Sequence, residues 1–475
     1  LLLLGLLLFC LYYAIAATLS RGALLGFWAG IAVLVPSALR RVPVKYPIIL
    51  LVVALAANGL ANLQSRGVLT DRFDSALGSM QVLMDPSNGL SESGGSIHQR
   101  SVIWHASAEL LRDAPWYGLG PSTFGLAYPA YSPVEDLSSL QYVHNDYLQF
   151  WIELGYPGVL LLLWLGLSVI WMFVKVIRSN DVADERRIEA AGLFAGMLAV
   201  AAHSVFTYNF NILAIAILFG FVLGRFVALA PTPSARGWCV KPSAILGKNA
   251  FYALSIIALM FPVSLLASFG VMDHFYTKAK AALIAGDLGL AEQSLTRAEQ
   301  LFDTSDIQYA RAVLYMEAIH ALPGSDSARR KQFYELASGA LERTEAVNPY
   351  ESNAYFGRAM LYQDNPQLAG SQWFARASAA YQKTLDMDPR HYPARLAYAK
   401  LLAGNAEERN ALALLEAGLA YLFPDDPQIL SYARYLVELR RAQSDVEGAE
   451  RIEQWIRVWE QHWRDEAAEL YFSSR

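Results

Sequence analysis

Seven apolar runs punctuate the first 270 residues of the chain: Leu1–Leu19, Ala23–Leu39, Tyr46–Ala61, Tyr156–Val174, Ala190–Phe206, Ile212–Ala230 and Phe251–Phe269. Each approaches the roughly 20 residues that a helix needs to cross a bilayer. The pattern therefore predicts a polytopic helical membrane domain over residues 1–270. Seven crossings place the two ends of that domain on opposite sides. Between the third and fourth runs lies a polar loop, residues 62–155, too long to be a mere connector.

After Gly270 the pattern changes to amphipathic helix pairs with alanine at close-packing positions. Asn348-Pro349 precedes Ala354 and Tyr355; forty residues later Asp388-Pro389 precedes Ala394 and Leu396. A third such pair, Asp426-Pro427, comes before a helix from Ala433 to Leu439. Each proline is expected where one helix ends and the next starts, since the first helical position needs no N–H. The segments Ala281–Leu301, turning at Gly286-Asp287, and Ala379–Met387 fit the same unit. Spacings of 40 and 38 residues lie near the tetratricopeptide period, so residues 271–475 resemble tetratricopeptide repeats. A generic helical bundle is the plainer alternative. Stacked helix pairs form a surface suited to binding protein segments. The expected fold class is all-α: a transmembrane helical domain followed by an α-solenoid.

Composition agrees once it is divided. Overall, 55% of the 475 residues are hydrophobic, 17% are charged and mean hydropathy is +0.26, which excludes disordered, collagen-like and ordinary water-soluble chains. Residues 1–270 hold 16 basic and 14 acidic side chains; residues 271–475 hold 22 and 29. The formal net charge of −5 offers no basic field for nucleic acid. Two cysteines, Cys10 and Cys239, are too few for a disulfide scaffold or a paired-cysteine metal site. The first residue is not Met and already lies in an apolar run, so the chain is expected to be a fragment lacking its natural N-terminus.

Basic residues in short loops give the orientation. One side holds Arg40, Arg41 and Lys45, then Lys175, Arg178, Arg186 and Arg187, then Arg225, Arg236, Lys241 and Lys248. The other side holds Arg21, and the 62–155 loop with four basic and ten acidic residues, Arg66 and Arg72 among the basic ones. The first side is expected to be cytoplasmic. The long loop, the turns at Ser20–Gly22 and His203–Asn211, and residues 271–475 then face outward.

Within the long loop, Ser96 to Pro115 predicts a helix of about four turns with capping-box spacing between Ser96 and Gln99. Arg100 and Trp104 share one of its faces. Trp116 to Phe124 reads as a tight turn whose Gly118-x-Gly120 lacks the third glycine of a phosphate cradle. His144-Asn145-Asp146-Tyr147-Leu148-Gln149 and Glu153-x-Gly155-x-x-Gly158 run into the fourth span.

Ser20-Arg21-Gly22 at a span opening, Arg100-x-x-x-Trp104 on a loop helix, the Gly-Leu-Gly turn and the His144-to-Gly158 segment occur in that order. This set, over about residues 1–230, resembles the O-antigen ligase and Wzy-type polymerase superfamily (the Wzy_C region). The resemblance implies a multi-span inner-membrane glycosyltransferase of lipopolysaccharide or exopolysaccharide biosynthesis, with about ten to twelve spans and a periplasmic active site. It would take glycan from undecaprenyl pyrophosphate and pass it to an acceptor hydroxyl on lipid A–core, growing polysaccharide or protein, without cofactor or metal. Many relatives carry an acidic residue after the His-Ser of the next outer turn; this chain has His203-Ser-Val-Phe-Thr-Tyr-Asn209 there.

The residue types suit that chemistry. Breaking a sugar–pyrophosphate bond builds negative charge on the leaving group, and guanidinium forks match phosphate oxygens. Arg21 and Arg100 are the expected cations, and His144 the expected base for the acceptor hydroxyl. Trp104, Asn145, Tyr147, Glu153 and His203 are the expected substrate-binding residues. Each has a plainer reading when taken singly. Arg21 reads as a snorkelling interfacial residue, Arg100 as a partner of Glu109 or Asp113, and His144 as a cap of the next helix. Trp104, Trp116, Tyr128, Tyr131, Tyr142, Tyr147 and Trp151 read as interfacial belt or loop core. Glu153 orients His144 or supports the loop, while His98 and His105 read as surface residues. The competing class is a non-enzymatic, membrane-anchored repeat scaffold of a polysaccharide assembly or export complex. A transporter would place ionisable residues mid-span, and none sits centrally in the seven runs.

Overall fold

A computed structural model describes residues 2–18, 20–39, 43, 45–64, 95–136, 138, 140–229, 247–421 and 428–473. Among the described residues every regular element is helical. The basic residues Arg40, Arg41, Arg66, Arg72, Arg236 and Lys241, together with Cys239 and Asp426-Pro427, lie outside them. The chain divides into two compact units, Leu1–Cys239 and Val240–Arg475.

The first unit contains α1 (Leu2–Ala17), α2 (Arg21–Leu39), α3 (Lys45–Gln64), α4 (Gly95–Asp113), α5 (Asp146–Arg178), α6 (Asp184–His203) and α7 (Leu213–Ala228). Among the described residues one helix, α5, is both long and apolar enough to cross a membrane. Leu6–Ala17, Arg21–Ser37, Val52–Ala61 and Leu213–Ala228 are shorter apolar helices. Beyond Gly155, α5 extends for roughly 34 Å at 1.5 Å per residue. Its Leu160, Leu161, Trp164, Leu167 and Trp171 are exposed. A stripe of large apolar side chains turned outward along one side of the helix calls for an apolar surrounding rather than water.

The tightest pairing is α2 against α6, and small residues explain it. Gly22, Gly26 and Gly30 recur every fourth residue and so share one stripe of α2. A Cβ on Gly30 would stand 2.7 Å from the Ala195 carbonyl oxygen, and one on Gly26 would overlap that of Ala199. Without side chains between them the two backbones approach closely, as in glycine-mediated packing of membrane helices. Around this pair, Val176, Ala190, Phe194, Met197 and Phe226 form one buried core between α5, α6 and α7. Tyr12, Ala16, Leu24, Ala54 and Ala57 form another between α1, α2 and α3.

The second unit begins with α8 (Lys248–Ile284), which carries the apolar run 251–269 and continues unbroken past Gly270. Ile256, Ile257, Phe261, Leu265, Leu266 and Phe269 are all exposed on it. It pairs with α9 (Leu288–Glu299). The following pairs are α10 (Ser305–Ala321) with α11 (Ser327–Val347), and α12 (Ser352–Asp364) with α13 (Trp373–Met387). Then come α14 (Tyr392–Gly404) with α15 (Glu408–Gly418), and α16 (Gln428–Ala442) with α17 (Val446–Ser473). Each pair packs on the next.

Two hydrogen bonds recur at equivalent positions of the forty-residue repeat. Thr344 Oγ1 donates to Ala340 O and Thr384 Oγ1 to Ala380 O, both at 2.9 Å. Tyr350 N–H donates to Asn348 Oδ1 at 3.0 Å and Arg390 N–H to Asp388 Oδ1 at 2.9 Å. Ala337, Ala354 and Ala359 are fully buried, as are Ala377, Ala394 and Ala399. Pro349 and Pro389 sit in the linking turn, ahead of α12 and α14 rather than at their first helical position. The first-turn proline of α14 is Pro393.

Candidate functional site

The sequence-predicted residues of the first unit converge where the loop following α4 meets the start of α5 and the α6–α7 turn. Asn145 has extended backbone, and its Oδ1 accepts from Tyr147 N–H and Leu148 N–H, each at 3.1 Å. It is therefore the N-cap of α5, the job that a plainer reading gave to His144. His144, one residue earlier, adopts a left-handed backbone with φ +56°. For a non-glycine residue this costs about 1–3 kcal/mol and persists only where neighbours hold it.

Neighbours from three directions do so. Trp104 Nε1–H on α4 donates to Val143 O at 3.0 Å, immediately before His144. The Tyr208 ring meets His144 edge-on at 5.1 Å and stacks on Tyr142 at 4.2 Å. Tyr147 OH donates to Ala201 O at 2.8 Å. Trp104 also faces Phe206 at 6.2 Å.

α4 brings in Arg100, and its position is legible from charge. Burial, then the positive charge of Arg21, lower the Arg100 guanidinium from its ordinary value. Two cations thus share one partly desolvated region. For His144, burial is the largest cause and Arg100 the next, together lowering the imidazole from its ordinary value, with Asp136 opposing. Its neutral, proton-accepting form is favoured. The charge of Arg100 also reaches His203. His203 itself abuts α2: a Cβ on Gly22, next to Arg21, would stand 2.9 Å from His203 Cδ2.

Glu153 is buried and its carboxylate is engaged by the loop. Oε2 accepts from Ser122 N–H at 3.0 Å; Oε1 accepts from Phe124 N–H at 3.3 Å and from Gln149 Nε2 at 3.1 Å. These are the bonds of a loop support. Backbone carbonyls of α5 take two further amides that the Gly118–Phe124 turn would offer a phosphate: Leu119 N–H donates to Ile152 O at 3.0 Å and Gly120 N–H to Glu153 O at 2.9 Å. The turn's own role is docking. Gly155, at φ +63° and ψ −162°, breaks α5 in a conformation nearly confined to glycine and lets Tyr156 N–H bond Trp116 O at 2.9 Å.

The remaining residues fall around this centre. Gln99 Nε2 donates to Glu135 O at 3.0 Å, tying α4 to the loop. Tyr128 is fully buried and donates to Asp136 at 2.7 Å; Tyr131 OH donates to Asp113 at 2.8 Å. Both are loop core. Trp116 lies largely exposed. His105 is exposed and bonds Ser101 O within its own helix, while the His98 side chain lies outside the described residues. Sequence reading missed Gln149, Asp146 and the Gly22–Gly26–Gly30 stripe. Only the stripe had a signal, its four-residue period.

The arrangement offers two cations and a neutral imidazole at the end of apolar helices, chemistry suited to an anionic ligand and a hydroxyl. The O-antigen ligase family model matches residues 6–163. The matched segment contains Arg21, Arg100, His144 and Glu153, and stops short of the turn carrying His203. It supports a membrane glycosyltransferase-like function in general, of ligase or polymerase type. No curated protein matches the chain. One similar solved structure is described as "Functional Characterization of Pseudomonas Aeruginosa pilF". It is 17% identical over 42% of this chain and 99% of that one, with a TM-score of 0.24, a likeness too slight to assign a fold.

Proposed function

We propose that the chain is a polytopic inner-membrane glycosyltransferase that moves glycan from undecaprenyl pyrophosphate to an acceptor hydroxyl on the periplasmic face. The seven apolar runs are its spans in this reading, with α8 the last of them. Residues 271–475 form a periplasmic tetratricopeptide-like domain that recruits a protein partner or an acceptor. The observation that carries the catalytic reading is the joint placement of Arg21, Arg100 and His144. Two guanidiniums share a partly buried region with an imidazole kept in its neutral form.

His144 accepts the proton of the acceptor hydroxyl as its oxygen attacks the anomeric carbon. The bond from that carbon to the pyrophosphate oxygen breaks with inversion. Arg21 and Arg100 stabilise the charge that collects on the departing diphosphate, so the countercharge comes from side chains rather than a metal. Lipid A–core, a growing polysaccharide and a protein hydroxyl are the acceptor classes.

Surface glycans of a deletion strain, compared with the strain complemented with the wild-type chain, test the reading. Lipid A–core without polymer identifies a ligase, a single capped unit identifies an O-antigen polymerase, and loss of exopolysaccharide alone identifies its polymerase. An unchanged glycan profile contradicts glycosyl transfer and leaves the membrane-anchored scaffold.

A further inference from the structure

Asp146 stands two residues beyond His144 and is fully buried. Three of its polar groups reach the turn between α6 and α7. The backbone N–H donates to Ser204 O at 3.0 Å. Oδ2 accepts from Phe210 N–H at 3.2 Å and Oδ1 from Asn211 Nδ2 at 3.1 Å. Asn209 Nδ2 closes the turn on Ser204 Oγ at 3.1 Å. Asp146 thus grips both ends of residues 204–211, its backbone N–H at Ser204 and its carboxylate at Phe210 and Asn211.

That turn touches every arm of the site. Its Tyr208 lies against His144 and Tyr142, its Phe206 against Trp104 on the Arg100 helix, and the adjoining His203 against Gly22 beside Arg21. A carboxylate that fixes the turn to the His144 backbone therefore fixes the relative placement of all three. Removing a buried acceptor strands the amide donors aimed at it.

We infer that Asp146 is the positioning residue of this site, holding the 204–211 turn so that His144 stays aligned with Arg21 and Arg100. The inference rests on the catalytic reading above. Asp146 touches no reacting atom in it; it acts through His144.

The test uses the full chain in proteoliposomes, with Asp146→Ala, Asp146→Asn and Asn211→Ala. Two quantities are read: steady-state transfer from an undecaprenyl-pyrophosphate-linked oligosaccharide, and the rate at which diethyl pyrocarbonate modifies His144 at neutral pH, followed on the His144 peptide by mass spectrometry. Positioning predicts that Asp146→Ala lowers kcat about 10- to 100-fold, the equivalent of the stranded donors. Donor KM changes by less than about threefold, because the cations that bind the diphosphate are intact. The His144 modification rate changes several-fold, Asp146→Asn falls between wild type and Asp146→Ala, and Asn211→Ala shifts both readouts in the same direction by less. If Asp146→Ala does not accumulate, Asn211→Ala carries the same comparison. Wild-type kcat and wild-type His144 reactivity in these variants would overturn the inference. A changed His144 reactivity, with full transfer retained by His144→Ala, would keep the positioning role and remove the glycosyl-transfer reading.

Discussion

Gly118 and Gly155 lie so close that neither position accepts a side chain. A Cβ on Gly118 would stand 2.5 Å from the Gly155 nitrogen, and one on Gly155 would stand 2.5 Å from the Gly118 nitrogen. Both have positive φ, +85° and +63°. The loop after α4 is thereby laid backbone to backbone on the break in α5, and the Glu153 carboxylate fastens it from the side.

Replacing either glycine by alanine should separate these strands of backbone. Strain and displacement together are expected to lower stability by about 1–3 kcal/mol. Thermal unfolding in detergent, with transfer activity measured in parallel, checks this. An alanine variant with the wild-type Tm would show that the loop does not depend on this contact.

Gly26 predicts a different kind of failure, since its neighbour is the Ala199 carbonyl on another helix. Gly26→Leu should force α2 from α6 and displace Arg21 relative to His203. The expected consequence is a loss of about 2–3 kcal/mol or failure to accumulate. Gly59, with open space where its Cβ would stand, is the matched control, and Gly59→Ala should be close to neutral.

The protonation state of His144 sets a pH dependence with a definite sign. Burial and Arg100 lower its pKa from the usual value of about 6.5. Transfer should stay maximal as pH falls to that value and decline only through the lower one. The same depression favours folding above the unfolded-state pKa, and that stability is lost as pH falls through the window between the two. Asp136 opposes the shift. Asp136→Asn should therefore move the acidic limb of kcat/KM further down, whereas Arg100→Gln should move the limb of its residual activity up. An acidic limb that ignores both substitutions would dissociate it from His144.

In the repeat domain, Ala354 and Ala394 are equivalent by sequence and by burial. Leucine at either should overpack its interface and cost a similar amount, about 1–3 kcal/mol. Proteolytic susceptibility of the 271–475 region in the intact protein measures it. A large cost at one position and none at the other would contradict the repeat.

Much of the helical framework was legible because its signals are local. The apolar runs, the capping and closing residues of the Ser96–Pro115 helix and the spacing of Ala354 and Ala394 are signals within short stretches of chain, and each corresponds to an element. The break at Gly155 did carry a local signal, Gly155 and Pro157 just where the fourth apolar run begins, but that signal does not say that helix continues on both sides. Residues acting across the fold were illegible for another reason. Glu153 and Ser122, or Asp146 and Phe210, are far apart in the chain, and neither carries a pattern that names its partner. Asp146 read as one of ten loop acids, and its burial depends on how the α6–α7 turn comes to rest. Conversely, Arg21, Arg100 and His144 were chosen for their chemistry, and packing brought them within reach of one another's charge.

The central claim is best tested by transfer in vitro from an undecaprenyl-pyrophosphate-linked oligosaccharide, comparing His144→Ala with the wild-type chain at equal abundance and Tm. Loss of a general base predicts a fall of about 100-fold or more in kcat. Arg21→Ala and Arg100→Ala should also lose transfer, through the leaving group they no longer stabilise. Full activity in all three variants would contradict the assignment of catalysis to this site.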